Sequence, residues 1–184
     1  MIENRSSLIR LDDGEAVRLD SSGKSPAYFC LRKPVVVTRE LIADLVARGA
    51  EIGKGIRLCL HESPGTLLHD MIVVQHAGQY FCPHKHLEKG ESYHMVEGEM
   101  GVVIFDDEGK VVDSCRMDTS NIMGYGVGTD MYHINFPLTE VAVYHESRLG
   151  PSTPGDCVVA PWGPGGDDKA EANSFVAELT RLLS

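Results

Sequence analysis

Between Gly78 and Gly98 the chain reads GQYFCPHKHLEKGESYHMVEG, and this stretch constrains the fold more than any other. Two histidines, His84 and His86, stand one residue apart, and Glu91 follows a few residues later. In a β-strand, residues i and i+2 point to the same face at a rise of ~3.3 Å per residue. The two imidazoles then project side by side, about 7 Å apart at Cα, close enough to converge on one ion. Gly90 offers a turn just before Glu91. Residues 91–97 read as the partner strand, with Glu91, Tyr93 and Met95 on one face, so that Glu91 returns to the same ion. Two imidazoles and a carboxylate form a mixed N/O donor set that suits one divalent transition metal ion, such as Zn, Fe(II), Mn(II), Ni or Cu. A fourth candidate ligand is His133, which follows the glycine-rich approach through Gly124, Gly126 and Gly128. A ligand so distant in sequence fits an antiparallel barrel, in which a later strand lies beside an earlier one.

The rest of the chain is patterned for such a barrel. Short strands are expected at 56–61, 70–76, 100–105, 110–117, 121–125, 131–136 and 141–148, with turns such as the acidic 106–109 between them. On the 70–76 strand, Met71, Val73 and Gln75 face one way and Ile72, Val74 and His76 the other. Upstream, residues 1–26 read as an irregular arm with a short strand at 15–19. An extended segment at 28–37 follows, strongest at 34–37. Thr38 is a plausible N-cap for a helix over 38–48, on which Leu41, Ile42, Leu45 and Val46 repeat at helical spacing and which Gly49 stops. Downstream, residues 151–164 are Pro/Gly-rich and read as a loop around the only tryptophan, Trp162. Asp167 and Asp168 then start a final helix with an apolar stripe of Phe175, Val176, Leu179, Leu182 and Leu183 that docks on the barrel or on a dimer mate. The expected organisation is an N-terminal arm and helix at 1–52, a barrel at 53–165 and a C-terminal helix at 166–184.

The stretch at 78–98 resembles the first motif of the cupin superfamily, which is Gly, five residues, His-x-His, three or four residues, Glu, six residues, Gly; every fixed position matches. The second cupin motif is only partly present. Its proline is missing, four residues rather than two separate Gly128 from His133, and Asn135 falls early. Within cupins the chain is similar to the WbuC-like cupin metalloproteins associated with O-antigen gene clusters. The matching pieces are Arg57-Leu-Cys-Leu-His61, Pro83-His-Lys-His86, Lys89-Gly-Glu91, Phe105-Asp-x-x-Gly109, Tyr132-His133 and Ala160-Pro-Trp162. The resemblance implies an all-β fold, a small double-stranded β-helix or jelly-roll barrel, and a metal held by His84, His86, Glu91 and His133.

Around those ligands other residues are candidates for function. Tyr93 and Tyr80 share faces with the ligands on their strands, as hydroxyls lining the pocket or as core aromatics. Cys82 shares the face of His84, as a thiol near the metal or as a small buried hydrophobe. Arg57, His61, Lys89 and Gln75 flank the motif, and a cluster of cations there suits an anionic or carboxylate-bearing ligand. Tyr93, His61 and Lys89 are the acid/base candidates; Arg57, Gln75 and Tyr80 are the ligand-binding candidates. The expected function is a metalloenzyme, of isomerase, epimerase or dioxygenase type, acting on a small sugar or organic acid. The alternative is a cupin that binds a small ligand without turnover, as a sensor or accessory protein.

Composition narrows the partners. Seventeen basic against twenty-seven acidic residues give a net charge of −10, which argues against nucleic acid. No apolar run approaches the ~20 residues that span a bilayer, and the N-terminal residues carry no segment of signal-peptide type. Five scattered cysteines without a Cys-x-x-Cys fit a reduced, cytoplasmic protein. A homodimer is expected by analogy with other cupins.

Overall fold

The computed structural model describes residues 8–23, 25–153 and 155–183; the first seven residues of the expected arm lie outside them. Twelve strands and two helices follow one another along these described residues. The strands are β1 (Val17–Asp20), β2 (Ala27–Cys30), β3 (Ile56–Cys59), β4 (Leu68–His76), β5 (His84–His86), β6 (Glu91–Glu97), β7 (Met100–Phe105), β8 (Val111–Met117), β9 (Gly124–Val127), β10 (Tyr132–Pro137), β11 (Val141–Leu149) and β12 (Cys157–Val159). The helices are α1 (Arg39–Ile52), between β2 and β3, and α2 (Lys169–Leu182), after β12.

Two sheets stack as a jelly-roll sandwich, the architecture that the cupin resemblance implies. One has seven strands in the order β1-β2-β3-β4-β11-β6-β9, and the other five in the order β12-β5-β10-β7-β8. Alternation along the strands sorts the side chains into three apolar layers. On β4, Met71 and Val73 join Tyr93, Met95, Val102, Ile104 and Tyr144 between the sheets. The opposite face of β4, Ile72 and Val74, packs with Leu41, Ile42 and Leu45 of α1. On β7 the odd-numbered side chains Val103 and Phe105 pack with Ile134, Phe136 and Leu179 of α2. Both faces of β7 are therefore covered, which explains why all six of its residues are buried. Each side chain fully buried in these layers contributes about 1.5–3 kcal/mol. The helices act as outer covers, one on each sheet. Among the described residues no helix is long and apolar enough to cross a membrane.

Several sequence expectations are corrected. β5 and β6 are not partners: β5 lies between β12 and β10, and β6 between β11 and β9, in the other sheet. The link from Leu87 to Gly90 thus crosses from one sheet to the other, and the motif closes across the sandwich rather than along a hairpin. Residues 34–37 form no strand. Val36 makes a single bridge to Leu8, Pro34 has no N–H to give a ladder, and Val35 and Val37 pack against the α1 layer. Thr38 caps α1, its side chain accepting from the Leu41 N–H. The helix runs past Gly49 and ends at Gly53, which takes the left-handed conformation at φ 67°. Gly49 is instead a packing position, where a Cβ would meet His76 Nε2 at 2.8 Å. Within the expected loop at 151–164, residues 157–159 pair with β5 as β12. Asp168 caps α2 by accepting from the Ala170 and Glu171 N–H groups.

Candidate metal centre

Strand register assembles the centre. β10 sets His133 directly opposite His84 on β5, which joins residues far apart in sequence. His86 projects from the same side of β5 as His84, and Glu91, at the start of β6, reaches in from the facing sheet. One donor atom from each of the four lies within 4.8 Å of the other three. Metal bonds of ~2.1 Å hold adjacent ligand atoms about 3 Å apart and opposite ones about 4 Å apart, so the spacing suits a single ion.

The outer nitrogens of His84 and His133 are occupied, while that of His86 has no hydrogen-bond partner. His84 Nδ1 lies 3.0 Å from the Cys82 carbonyl oxygen, and His133 Nδ1 lies 2.9 Å from that of Met131. His86 Nδ1 is 3.6 Å from Asp156 Oδ2, which Lys89 Nζ also approaches at 3.1 Å. Carbonyl acceptors at His84 and His133 keep the ring proton on Nδ1 and leave the Nε2 lone pairs facing inward. Tyr93 donates its hydroxyl to Glu91 Oε2 at 3.0 Å. The other oxygen, Oε1, lies 2.6 Å from His86 Nε2 and 3.5 Å from His133 Nε2. Glu91 Oε1 and His133 Nε2 are nonetheless buried without an aligned hydrogen-bond partner. A buried polar atom left so costs about 1–3 kcal/mol, and a cation bonded to both removes that cost. The donor set and its orphaned atoms therefore fit a divalent transition metal.

Charge states agree. Burial pushes His84 down to about 4, with His133 adding to the effect, so its imidazole is neutral at physiological pH. Burial alone would raise Glu91, but the close approach of His133 and His86 outweighs it and holds the carboxylate well below its usual range. Burial would lower His133, yet Glu91 outweighs it and raises it. A neutral imidazole beside an ionised carboxylate is what metal ligation requires, and a cation arriving there competes with protons for the same donor atoms.

A cavity of about 350 Å³ opens over His84, His86 and Glu91. Of the sequence candidates, Arg57, Gln75 and Tyr93 line it. Lys89 lies outside the lining; its ammonium donates to the Pro151 carbonyl at 2.6 Å and pairs with Asp156, so it bears on the centre only through Asp156 and His86. His61 is in a neighbouring cavity of about 230 Å³, its ring stacked on His69 at 4.4 Å and pushed down to about 4 chiefly by burial. Tyr80 is turned away: its hydroxyl donates to the Pro164 carbonyl at 2.9 Å, and its ring packs in the α2 layer. Cys82 contributes its carbonyl to His84, while Cys157, in register with His86 on β12, lines the cavity.

The sequence reading missed Asn135, Tyr144, Glu146 and Arg148, all of which line the cavity. Asn135 donates to the Tyr144 hydroxyl at 2.8 Å. Arg148 is in register with Glu91 and Glu146 with Tyr93, and Arg148 Nη1 lies 3.1 Å from His86 Nε2. Burial first, and Glu91 second, push Glu146 up to about 7 against the pull of Arg148 and Arg57. The available signal was the period-two set of Tyr144, Glu146 and Arg148 on one strand, a polar stripe facing inward.

A family model described as a domain of unknown function, DUF6016, matches residues 37–117. No curated protein matches the sequence. Among solved structures the chain is similar to the capsular polysaccharide assembling protein CapF of Staphylococcus aureus, at 12% identity and a TM-score of 0.48, over 57% of this chain and 31% of that one. It is similar to the oxalate decarboxylase of Lactobacillus farciminis in its formate complex, at 14% identity and a TM-score of 0.42, over 51% of this chain and 27% of that one. It is also similar to the oxalate decarboxylase of Bacillus subtilis, a protein with Mn(II) centres, at 16% identity and a TM-score of 0.42, over 51% and 24% of the two chains. The chain thus spans about a third or less of the length of these proteins.

Proposed function

We propose that this protein is a metal-binding cupin of the WbuC-like kind, a metalloenzyme that acts on a small polar molecule of the sugar or organic-acid class. The observation that carries the reading is the convergence of His84, His86, Glu91 and His133, the first three at the wall of a cavity, with Glu91 Oε1 and His133 Nε2 orphaned. In this reading the four residues hold Zn, Fe, Mn or Ni. Such an ion polarises a carbonyl or hydroxyl, or lowers the pKa of a water.

The chain's own groups do the rest. The Cys82 and Met131 carbonyls orient the imidazoles of His84 and His133. Tyr93 fixes Glu91 in one rotamer. Gln75, whose Oε1 is buried without a partner, and Asn135 present polar groups to a hydroxylated ligand. Glu146, held near 7 by burial, is placed to take or give a proton at neutral pH, which is the range where acid/base catalysis is most effective. In this reading Glu146 takes that role rather than Lys89 and His61, which do not line the cavity over the centre.

Elemental analysis of the purified protein beside His86→Ala tests the reading. About one equivalent of a transition metal in the wild type, lost in the variant, is the expected result. No metal in either protein after reconstitution would overturn it. The identity of the metal then separates O₂ chemistry, natural for Fe, from Lewis-acid isomerisation or hydrolysis, natural for Zn or Mn.

A further inference from the structure

The cavity over the metal centre and the neighbouring one share four lining residues: Ser25, Arg57, Arg148 and Ser152. The two guanidinium side chains therefore form part of the partition between the chambers. Both are poorly paired. Among the described residues Arg57 makes no ion pair, and its side chain's one hydrogen bond is a long one, 3.4 Å, to the Ser25 carbonyl. Arg148 Nε is 3.9 Å from Glu146 Oε1, with a side chain only 17% exposed. The Nε atoms of both arginines are buried without a hydrogen-bond partner. Guanidinium groups so confined are costly unless an anion completes them, and their planar forks match a carboxylate.

Position then limits what the anion is attached to. Arg148 Nη1 lies 3.1 Å from His86 Nε2, so a carboxylate on this arginine sits beside the metal ligands. From there a substituent on the adjacent carbon is within reach of the metal ligands. On the other side of the arginines, the second chamber is walled by Phe29, Met71 and the stacked imidazoles of His61 and His69, with Phe29 edge-on to His61 at 5.6 Å. That wall suits a flat or apolar group. Charge favours an anion: Arg57, Arg148, Lys89 and a divalent cation set against Glu91, Glu146 and Asp156 leave a net positive charge.

Building on the metal-site reading above, we infer that the two chambers form one bipartite pocket for a 2-hydroxy (or 2-oxo) carboxylic acid with a flat or apolar tail. The acid group lies on Arg57 and Arg148, the 2-oxygen is turned to the metal centre, and the tail occupies the second chamber.

Calorimetric titration of the Zn(II)-loaded protein with mandelate, mandelamide and lactate tests this, with zinc content measured on every sample. Mandelate is expected to bind at least tenfold more tightly than mandelamide, which lacks the charge, and than lactate, which lacks the tail. Arg57→Gln is expected to lose at least tenfold of the mandelate affinity with its zinc content unchanged. Equal binding of mandelate and mandelamide by the wild type, or no binding of either, would overturn the arginine anchor, and neither result depends on how a variant folds. Lactate binding as tightly as mandelate would overturn the role of the second chamber. If the wild type takes up no zinc yet still prefers mandelate to mandelamide in an Arg57-dependent way, the metal reading falls and the anchor stands.

Discussion

Replacing Glu146 with glutamine should change how stability depends on pH, and the structure sets both the sign and the size. The carboxyl group projects inward from β11 with its side chain 14% exposed. Burial and the nearby Glu91 raise it from 4.5 to about 7. A raised carboxyl binds its proton more tightly in the folded than in the unfolded chain. The stability linked to that proton is therefore complete below pH 4.5 and is lost as pH climbs through about 7. At ~1.4 kcal/mol per pH unit, the gap between 4.5 and about 7 amounts to about 3 kcal/mol. Glutamine carries no such titration. Chelator-treated wild type and Glu146→Gln should be compared by urea unfolding, followed by circular dichroism, from pH 4.5 to 8. His61, His69 and His84, whose shifts have other causes, titrate in both proteins and cancel in the difference. The variant should match the wild type at the acid end and gain up to about 3 kcal/mol on it above pH 7. A difference that does not vary with pH, or a variant less stable than wild type at pH 8, would refute the argument that this carboxyl is held neutral by its surroundings.

Three further outcomes are expected. Tyr93→Phe removes the hydroxyl bonded to Glu91 Oε2 and should weaken metal binding about 10- to 100-fold, read by competition with a chromophoric chelator, while circular dichroism remains unchanged. Gly98→Ala places a Cβ against the Val141 carbonyl oxygen and 2.6 Å from Thr139 Oγ1 at φ 75°; it should cost about 3 kcal/mol, measured by urea unfolding. Leu179→Ala empties a buried site where α2 meets the five-stranded sheet and should cost about 2–5 kcal/mol, with earlier proteolysis of the C-terminal helix as a second readout.

How much of this was legible in the sequence depends on whether the deciding contacts are local. The helix caps at Thr38 and Asp168 were readable because a cap is set by residues two or three positions away. So was the split of β4 into two faces, which alternation alone determines. His84 and His86 share a side for the same reason. The alternation fails at Cys82 and Tyr80 because residues 79–83 precede β5 and are not strand, so counting backwards from His84 assigns them the wrong direction. Gly49 looks like a helix stop, and only the approach of His76 shows why a glycine is needed there. Arg148 and Glu146 gain their place from the register of β11 against β6 and β4, which a single sequence does not encode in any short window. β12 is a three-residue edge strand, too brief to carry a pattern.

The long-range pairing of β5 and of β6, each in its own sheet, has a consequence for how the protein is made. Neither of these strands is hydrogen-bonded to a strand adjacent to it in sequence: β5 waits for β10 and β12, and β6 for β9 and β11. A ribosome delivers His84, His86 and Glu91 early, but the scaffold that aims them emerges only with residues 124–159. Closing such long loops is slow, and until it happens the nascent chain offers three unorganised donors rather than a chelate. If the centre takes up an ion, it does so as a nearly finished sandwich, late in synthesis, and a chain interrupted before β10 would leave the ribosome with its motif intact but its four donors unassembled.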